Sequence, residues 1–313
     1  MDRHTFIINP VAGRTDQSAE ISGKIKKAAK KLGIINYEIK ISEYHRHAVE
    51  IVTDTAEKFP EDSLRFYACG GDGTLNEVAE GTIGRPNCAF THFPSGSGND
   101  FIKIFGAENI SRFLNPESLI TGDIIRLDYI DSSHGLSINI LSAGIDARVA
   151  RRMEKYRRVF AGGSAAYNLS IIENVLLGLH DPYKVEIDGR RLDGRYTLIM
   201  AANGRYYGGG FYAMPDADPA DGIIEVLLVK AVSRLTVAHI IGLYQKGKYK
   251  ELPEIIHPYR MYKKMTISSG NNKPITLNLD GETMLVDSVT FSPGKEKLRF
   301  IVPKGLAVAA PGN

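Results

Sequence analysis

The sequence has few cysteines and no long apolar run. Its 313 residues include only Cys69 and Cys88, both in apolar surroundings without metal-ligand spacing. We therefore expect buried thiols in a reducing cytosol rather than a disulfide. No apolar run approaches the roughly 18 residues of a membrane span, and the N-terminus lacks the apolar core of a signal peptide. These absences predict a cytosolic protein whose contact with a membrane is peripheral.

The chain also has little net charge. A formal charge of +3 is too small to predict nucleic-acid binding, so we expect no nucleic-acid partner. Hydrophobic residues make up 43% and charged residues 24% of the sequence, which excludes a disordered or fibrous chain. A globular chain of this length can bury two cores, and two domains are therefore expected.

The first part of the chain alternates predicted strands with predicted helices. Strands are predicted at residues 4–9, 37–42, 64–70 and 88–94, and helices at 18–33, at 46–58 and directly after the segment GGDG. This βαβ alternation predicts a parallel sheet covered by helices on both faces. In such sheets the ligand lies beyond the carboxyl ends of the strands.

Beyond residue 126 the pattern changes to many short β-rich runs separated by turns, which predicts an antiparallel sandwich or barrel. Helical insertions are predicted near 146–180 and 233–250, and the apolar last residues are expected to pack back on the first domain. The predicted division is an α/β domain at 1–126, a β-sandwich domain at 127–302 and a return segment at 303–313.

The segment GGDGTLNEVAEG begins at Gly70. Its glycines allow close approach of a ligand, and the N–H groups at the start of the following helix favour an anion such as phosphate. A carboxylate at Asp72 would repel phosphate unless a divalent cation stood between them, so Asp72 is expected to face Mg²⁺ directly or through water. The alternative is a plain Asp-Gly turn in which Thr74 caps the helix.

Two further loops of small residues follow neighbouring predicted strands. They are NPVAG at 9–13 and PSGSGND at 94–100, and all three loops are expected to meet at one sheet edge. The sequence has neither the GxxxxGK[ST] pattern nor the HRD motif of protein kinases, so a nucleotide site here is of another kind.

Five motifs together are similar to one known family. The segments IINPVAG, GGDGTLNE, PSGSGND, GGGFYAMPDADPADGIIEV and LDGE resemble, in order and spacing, the catalytic region of bacterial diacylglycerol kinases and related lipid kinases. The resemblance spans residues 6 to about 303. NAD kinases share a GGDG loop but differ at LNE and at GSGNDF. The resemblance implies a nucleotide-binding α/β domain, a β-sandwich domain and an active site in the cleft between them.

The resemblance also implies roles for individual residues. Glu282 is the implied general base, although the segment NLDGETM also reads as an ordinary Asp-Gly hairpin. The residues implied to bind the ATP phosphates are Asn9, Pro10, Val11, Ala12, Gly13, Gly71, Asp72, Gly73, Thr74, Leu75, Asn76, Glu77 and Ser97. The implied acids of a network of Mg²⁺ and water are Asp72, Asp100 and Asp128, of which Asp72 is also counted as catalytic. A structural Mg²⁺ held by main-chain carbonyls is implied at Asp218, Asp221 and Ile223, with a metal-free turn as the alternative.

A basic segment lies outside these motifs. We name as the basic cluster Arg148, Arg151, Arg152, Lys155, Arg157 and Arg158. On a helix these residues would suit an anionic bilayer surface, with a solvated face as the alternative. The lysines at 24–31 are expected to be solvated. The aromatic segment RYYGGGFYAM at 205–214 is expected in the sandwich core or along an acyl-chain cleft.

The predicted function is an ATP- and Mg²⁺-dependent kinase that phosphorylates a hydroxyl of a membrane lipid. Diacylglycerol, giving phosphatidic acid, is the expected substrate. The alternatives are a soluble-substrate kinase of the NAD-kinase type and a nucleotide-binding regulatory protein without turnover. The oligomeric state is left open, and a homodimer is one of the options.

Overall fold

The computed structural model describes residues 1–157 and 179–311. Within these ranges the first sheet has six strands in the order β2-β1-β3-β4-β20-β5. The chain runs from β1 outward to β2 and then back across β1 to β3 and β4, so the strand order reverses between β1 and β3. The strands are β1 (Asp2–Ile8), β2 (Tyr37–Ile41), β3 (Ser63–Gly70), β4 (Cys88–Pro94), β5 (Asp123–Leu127) and β20 (Leu298–Val302).

Helices connect the parallel strands, as the alternation predicted. The helices of this part are α1 (Ser18–Leu32), α2 (His47–Lys58), α3 (Asp72–Thr82), α4 (Ile110–Phe113) and α5 (Pro116–Ile120), with 3-10 segments at Phe101–Phe105 and Ala107–Asn109. Helix α1 buries Ile21, Ile25, Ala28 and Ala29, leaves its lysines exposed and ends at Gly33, whose φ is 68°. The predicted solvation of these lysines is confirmed.

Strand β20 lies between β4 and β5 in the first sheet, although it comes near the end of the chain. It pairs in parallel with β4 through Phe300 and Phe90, and antiparallel with β5. The return to the first sheet therefore begins at Leu298, five residues before the position 303 that the sequence indicated. Leu306 and Val308 then pack against the same core, which confirms that the apolar last residues fold back on this domain.

The second sheet is antiparallel. Its hydrogen-bonded path within the described residues is β18-β17-β8-β11-β9-β16-β19-β6-β7, and β14 lies between β11 and β15. The strands are β6 (Ile130–Ser132), β7 (Gly135–Ser137), β8 (Ile140–Gly144), β9 (Asp181–Ile187), β10 (Arg190–Arg191), β11 (Gly194–Ala202), β14 (Ile224–Lys230), β15 (Ile256–Met261), β16 (Met265–Ser269), β17 (Ile275–Leu279), β18 (Glu282–Val286) and β19 (Ser288–Pro293).

This sheet has a separate hydrophobic core on each face. One core contains Val185, Ile199 and Phe291, and the other contains Met200, Leu227 and Tyr249. The second face carries helix α7 (Arg234–Gln245), a 3-10 segment at Tyr249–Glu251 and a hairpin of β12 (Tyr206–Tyr207) with β13 (Phe211–Tyr212). Helix α6 (Ile145–Arg157) follows β8; residues 158–178 of the predicted insertion at 146–180 lie outside the described residues.

Both cysteines are buried and unpaired, as predicted. Burial raises the pKa of the Cys69 thiol far above its usual range and that of Cys88 to about 11, so both stay protonated at neutral pH. No helix in the described part of the chain combines the length and the apolar character needed to cross a bilayer.

Candidate active site

Three loops meet at the carboxyl ends of β1, β3 and β4. The Asn9 amide donates to Thr74 Oγ1 over 3.0 Å, which joins the first loop to the start of α3. The N–H groups of Ser95 and Gly96 donate to the Gly70 carbonyl at 2.9 and 3.1 Å, which joins the third loop to the end of β3. The predicted convergence of the loops is therefore confirmed.

Glycine makes this convergence possible. A Cβ on Gly96 would lie 2.4 Å from the Gly71 Cα, and a Cβ on Gly13 would lie 2.7 Å from the Ser95 carbonyl oxygen. Both distances are below any normal contact, so the three backbones touch where side chains would hold them apart. The alternative role of Thr74 is not observed: α3 has Gly71 at its N-cap and no side-chain cap.

The carboxylates of Asp72 and Asp100 both lie close to Gly98. A methyl group on Gly98 would be 3.0 Å from Asp72 Oδ2 and 3.7 Å from Asp100 Oδ2. Asp72 Oδ1 accepts a hydrogen bond from the Phe101 N–H at 3.3 Å, while its Oδ2 accepts none from the residues that the structure describes. Asp72 is therefore the carboxylate of this pair that can still bind a cation.

Asp100 is already neutralised. It is 5% exposed, pairs with the Lys103 ammonium and accepts a hydrogen bond at 2.8 Å from the Gly209 N–H. Gly209 lies in the turn of the β12–β13 hairpin, so Asp100 joins the third loop to this hairpin of the second domain. Lys103 brings a positive charge to the loops that the motifs did not indicate.

Asp128 is held by Gly222 and Lys297 rather than by the third loop. It is 3% exposed, and its carboxylate accepts hydrogen bonds from Lys297 Nζ at 3.1 Å and from the Gly222 N–H at 2.7 Å. Asp72 and Asp100 are thus brought together by the third loop, whereas Asp128 is paired with the turn at 218–223. Its place in a network of Mg²⁺ and water stays a prediction.

The predicted phosphate-binding residues differ in what their side chains can reach. Val11 is 85% exposed, and Ser97 is also exposed. Leu75 is fully buried in the first core, and the amide of buried Asn76 donates to the Leu136 carbonyl at 3.2 Å. Leu75 and Asn76 therefore hold α3 in place, and phosphate contacts from this part of the loop would come from backbone N–H groups.

Glu282 lies directly after a two-residue turn. Asp280 and Gly281 both have positive φ, at 49° and 101°, and Leu279 pairs with Glu282 across the hairpin. These values match the type I′ turn that Asp-Gly favours, so the predicted hairpin is confirmed. The turn aims Glu282 at the first domain, where its Oε1 lies 2.8 Å from Nε2 of His45.

Hydrogen bonds to Asp280 hold this hairpin against residues 137–140. Its carboxylate accepts hydrogen bonds from the Ile138 and Ile140 N–H groups, both at 2.7 Å, and from Ser137 Oγ at 2.8 Å. Burial raises the pKa of Asp280 to about 6, against the opposing effect of these donors. The segment LDGE therefore contains a buried anchor two residues before the exposed carboxylate.

The aspartate turn at 218–223 is closed by side-chain cations of the chain itself. Lys297 Nζ donates to the Ala220 carbonyl at 2.7 Å, and Arg260 Nη2 lies 3.0 Å from Asp221 Oδ2. Asp218 accepts from the Ala220 N–H and Asp221 from the Ile223 N–H. These contacts occupy side-chain oxygens of the turn, and a structural Mg²⁺ on the main-chain carbonyls of Asp218, Asp221 and Ile223 stays a prediction.

The aromatic segment at 205–214 forms the β12–β13 hairpin, and it also contributes to the second core, in which Ala213 and Met214 are buried and against which Tyr207 packs. The rings of Tyr206 and Tyr212 are tilted by 31° with centroids 4.7 Å apart, and Tyr207 Oη lies 3.1 Å from the hydroxyl of Tyr244 on α7. The four aromatic side chains of the hairpin are half-buried. The turn of the hairpin lies beside Asp100, because the Gly209 N–H donates to it.

Comparison with known proteins covers nearly the whole chain. A sequence model of the diacylglycerol kinase catalytic domain matches residues 3–132, and one of the YegS C-terminal NAD kinase beta sandwich-like domain matches residues 139–310. The second match alone covers more than half of the chain. The chain belongs to the diacylglycerol kinase family. As a member of this family it is a kinase, and its two-domain α/β and β-sandwich fold class is confirmed.

Individual members of the family align over most of their length. A diacylglycerol kinase of Staphylococcus carnosus (strain TM300) is 25% identical over 308 residues, which is 96% of this chain and 95% of that protein. One from Staphylococcus aureus (strain MRSA252) is 26% identical over 283 residues, or 90% and 86% of the two chains. A structure of a diacylglycerol kinase from Bacillus anthracis (str. Sterne) has a TM-score of 0.68 at 17% identity. Another from that organism scores 0.73 at 21%, and each covers 96% of both chains. These structures support the fold alone.

Four residues of the site were missed in the sequence. His45 and Lys103 are single polar residues outside the family motifs, and no periodicity distinguishes them. Asp280 and Lys297 become notable only when their long-range partners are known. Asp280 belongs to the motif LDGE, but the preference of Asp-Gly for a tight turn already explained its presence there.

Proposed function

We propose that this kinase transfers the γ-phosphoryl group of ATP to a hydroxyl of a membrane lipid, with diacylglycerol as the substrate and phosphatidic acid as the product. Its curated relatives, at 25 and 26% identity, carry the name diacylglycerol kinase. The observation that carries the proposal is the meeting of three backbone loops around Asp72 at one edge of the first sheet, with Glu282 reaching the same domain from the second sheet.

Phosphate binding follows from the backbone at this edge. The first turn of α3 offers N–H groups that lack intrahelical acceptors, and its dipole favours an anion. The contacts between the loops hold Asn9–Gly13, Gly71–Thr74 and Ser97 around this turn. Lys103, beside Asp100, adds a cation that can approach the phosphates.

The divalent cation is assigned to Asp72. Mg²⁺ is held by carboxylate oxygen together with phosphate oxygens in most nucleotide sites, and Asp72 Oδ2 is the oxygen that the fold leaves available. When bound, the ion would neutralise charge on the β- and γ-phosphates. The dipole of α3 alone cannot take the place of this ion, because the negative charge of Asp72 in the first turn repels an incoming phosphate.

Glu282 is the proposed general base. As the lipid hydroxyl oxygen forms its bond to the γ-phosphorus, the Glu282 carboxylate takes the hydroxyl proton and ADP leaves with the bridging oxygen. Its side chain is 39% exposed, which is consistent with a base that a lipid headgroup can reach. Asp280 holds the hairpin so that the carboxylate keeps its direction.

The lipid is proposed to approach beside the β12–β13 hairpin. The hairpin presents half-buried aromatic side chains next to Asp100, and α7 behind it carries Leu235, which is 85% exposed. The basic cluster begins on α6, where Arg151 is exposed. Each basic residue near an anionic leaflet contributes about 1 kcal/mol, so this cluster supports peripheral binding to an anionic membrane.

The test is radiolabelled ATP incubated with the protein, Mg²⁺, a mixed lipid extract and NAD. Label in a lipid that migrates with phosphatidic acid supports the proposal, and label in another phosphorylated lipid keeps the kinase class but replaces the substrate. Label in NADP would instead favour the soluble-substrate alternative. No label in any fraction from a folded protein that binds ATP would point to a nucleotide-binding protein without turnover. Asp72→Asn serves as the inactive control.

A further inference from the structure

The exposed hydrogen bond between His45 and Glu282 joins the two domains at the proposed base. His45 lies in the loop before α2 of the first domain, and Glu282 opens β18 of the second. Nε2 of His45 is 2.8 Å from Glu282 Oε1. A carboxylate can only accept, so the imidazole donates from Nε2. Oε1 is thereby engaged, and Oε2 is left for the hydroxyl proton.

The loop that carries His45 is held rigidly by α3. Glu77, on the second turn of this helix, accepts hydrogen bonds from the Arg46 N–H at 3.0 Å and the Ala48 N–H at 3.3 Å. Arg46 has a φ of 68°, and its guanidinium pairs with Glu80, also on α3. The backbone on the C-terminal side of His45 is therefore fastened to the helix that begins at Asp72.

Aromatic packing fixes the same loop from within. The ring of His47 stacks on Tyr44 with centroids 4.4 Å apart and planes 6° from parallel. Nδ1 of His47 accepts a hydrogen bond from the Glu43 N–H at 3.0 Å. With its neighbours on both sides held, His45 can act as a fixed donor even though its side chain is 67% exposed.

The His45 donor has an electrostatic role at this site. A ring nitrogen of His45 and carboxylate oxygens of Glu77 and Glu282 all lie within 4.8 Å of one another. Two carboxylates are therefore close together. Like charges at this distance repel, and the Arg46 guanidinium offsets part of this repulsion, since its hydrogen bond to Glu80 and the charges of Glu282 and Glu77 raise its pKa. The hydrogen bond from the imidazole adds direction to this attraction and keeps Glu282 turned toward the loops proposed to bind the nucleotide.

We propose that His45 is a positioning residue for Glu282 and connects the general base to the helix that carries the GGDG loop. This inference rests on the proposed function, in which Glu282 accepts the proton of the lipid hydroxyl. His45 itself touches neither substrate nor phosphate in this role. Its contact is exposed, so it contributes little to folding, and its effect should be seen in turnover.

The experiment compares His45→Leu, His45→Gln and the control His134→Leu in the wild type and in Glu282→Gln. His134 is another exposed histidine with an Nε2 contact, 2.8 Å from the Ser288 carbonyl oxygen. His45→Leu is expected to lower kcat by roughly 10- to 100-fold, the range for a misplaced catalytic group, with KM for ATP and the melting temperature unchanged. His45→Gln keeps a donor near the position of Nε2 and should retain most of the activity, as should His134→Leu.

The Glu282→Gln background separates the possible failures. There His45→Leu should cause no further loss, because two residues that act through one group are not additive. If His45→Leu is fully active while Glu282→Gln is impaired, the positioning role is wrong and the general base stands. If His45→Gln is as impaired as His45→Leu and both losses persist in Glu282→Gln, His45 acts by another route. If Glu282→Gln itself has wild-type turnover, the assignment of the base is wrong.

Discussion

Replacing the buried Arg205 with methionine should loosen the C-terminal segment before it unfolds the protein. Arg205 is 1% exposed, and its guanidinium donates to three carbonyl oxygens: to Ala217 at 2.7 Å, Ala309 at 2.7 Å and Ala310 at 3.2 Å. The segment is held on its other side by the Ala309 N–H, which donates to the Ile104 carbonyl at 2.9 Å. Arg205 therefore ties the end of the chain to the second sheet while Ile104 ties it to the first domain.

The size of the effect follows from the burial of each acceptor. Ala217 is fully buried, and a buried carbonyl left without a donor costs about 1 to 3 kcal/mol. Ala309 is half-buried and Ala310 is exposed, so water partly replaces the hydrogen bonds that their carbonyls lose. Each of these losses costs about 0.5 to 1.5 kcal/mol. Methionine fills a similar volume and removes the cost of burying a charge. Together these terms predict a loss of about 3 kcal/mol in the free energy of unfolding.

The assay is denaturant unfolding, combined with amide hydrogen exchange over residues 304–311. Arg205→Met should lower the unfolding midpoint and speed exchange in this segment. The matched control is Arg191→Met, because Arg191 is exposed and paired with exposed Asp193, and that change should cost less than about 1 kcal/mol. An Arg205→Met protein that unfolds within 1 kcal/mol of the wild type, with the Ala309 amide still protected, would refute the reasoning.

Three further predictions concern the metal, the membrane and acid. Asp72→Asn should keep the fold, checked by circular dichroism, but remove nearly all phosphoryl transfer; wild-type turnover in the folded variant would exclude the metal role. Glutamine at Arg151, Arg152, Arg157 and Arg158 of the basic cluster should weaken sedimentation with anionic vesicles, as should high salt in the wild type, while activity on a short-chain lipid survives. Burial lowers the pKa of His4 from 6.5 to about 4, so its protonation opposes folding. Stability should fall by up to about 3 kcal/mol as the pH drops from 6.5 toward 4, and His4→Asn should make that loss smaller; an identical pH profile in the variant would contradict the assignment.

The first domain was largely predictable because its signals are local. The strands at Ser63–Gly70 and Cys88–Pro94 are rich in apolar and aromatic residues and are bounded by turns, and the glycine at position 33 ends α1 where the helical pattern stops. In the GGDG loop, the glycines themselves indicate a close approach of the backbone to another group. Convergence of the three loops then follows from the geometry of parallel strands.

The second domain was less predictable because its pairing is long-range. The strand Ile256–Met261 contains proline and charged residues and has no clear alternation, and only its pairing with β14 makes it a strand. In the site, the match to the family indicated Glu282 and Asp72, whereas His45 depends on a contact across 237 positions. A carboxylate such as Asp128 could be aligned in sequence, but its partner Lys297 could not.

Strand β20 has a consequence for the synthesis of the chain. The first sheet remains incomplete until residue 302 of 313 has been made, because β20 separates β4 from β5. During translation the edge of β4 stays open, although every residue of that strand is buried in the finished protein. An open apolar edge is a site for pairing with other chains. Nascent chains that stall after the second sheet has formed should therefore depend on chaperones, and truncation before Leu298 should yield an aggregating product rather than an isolated first domain.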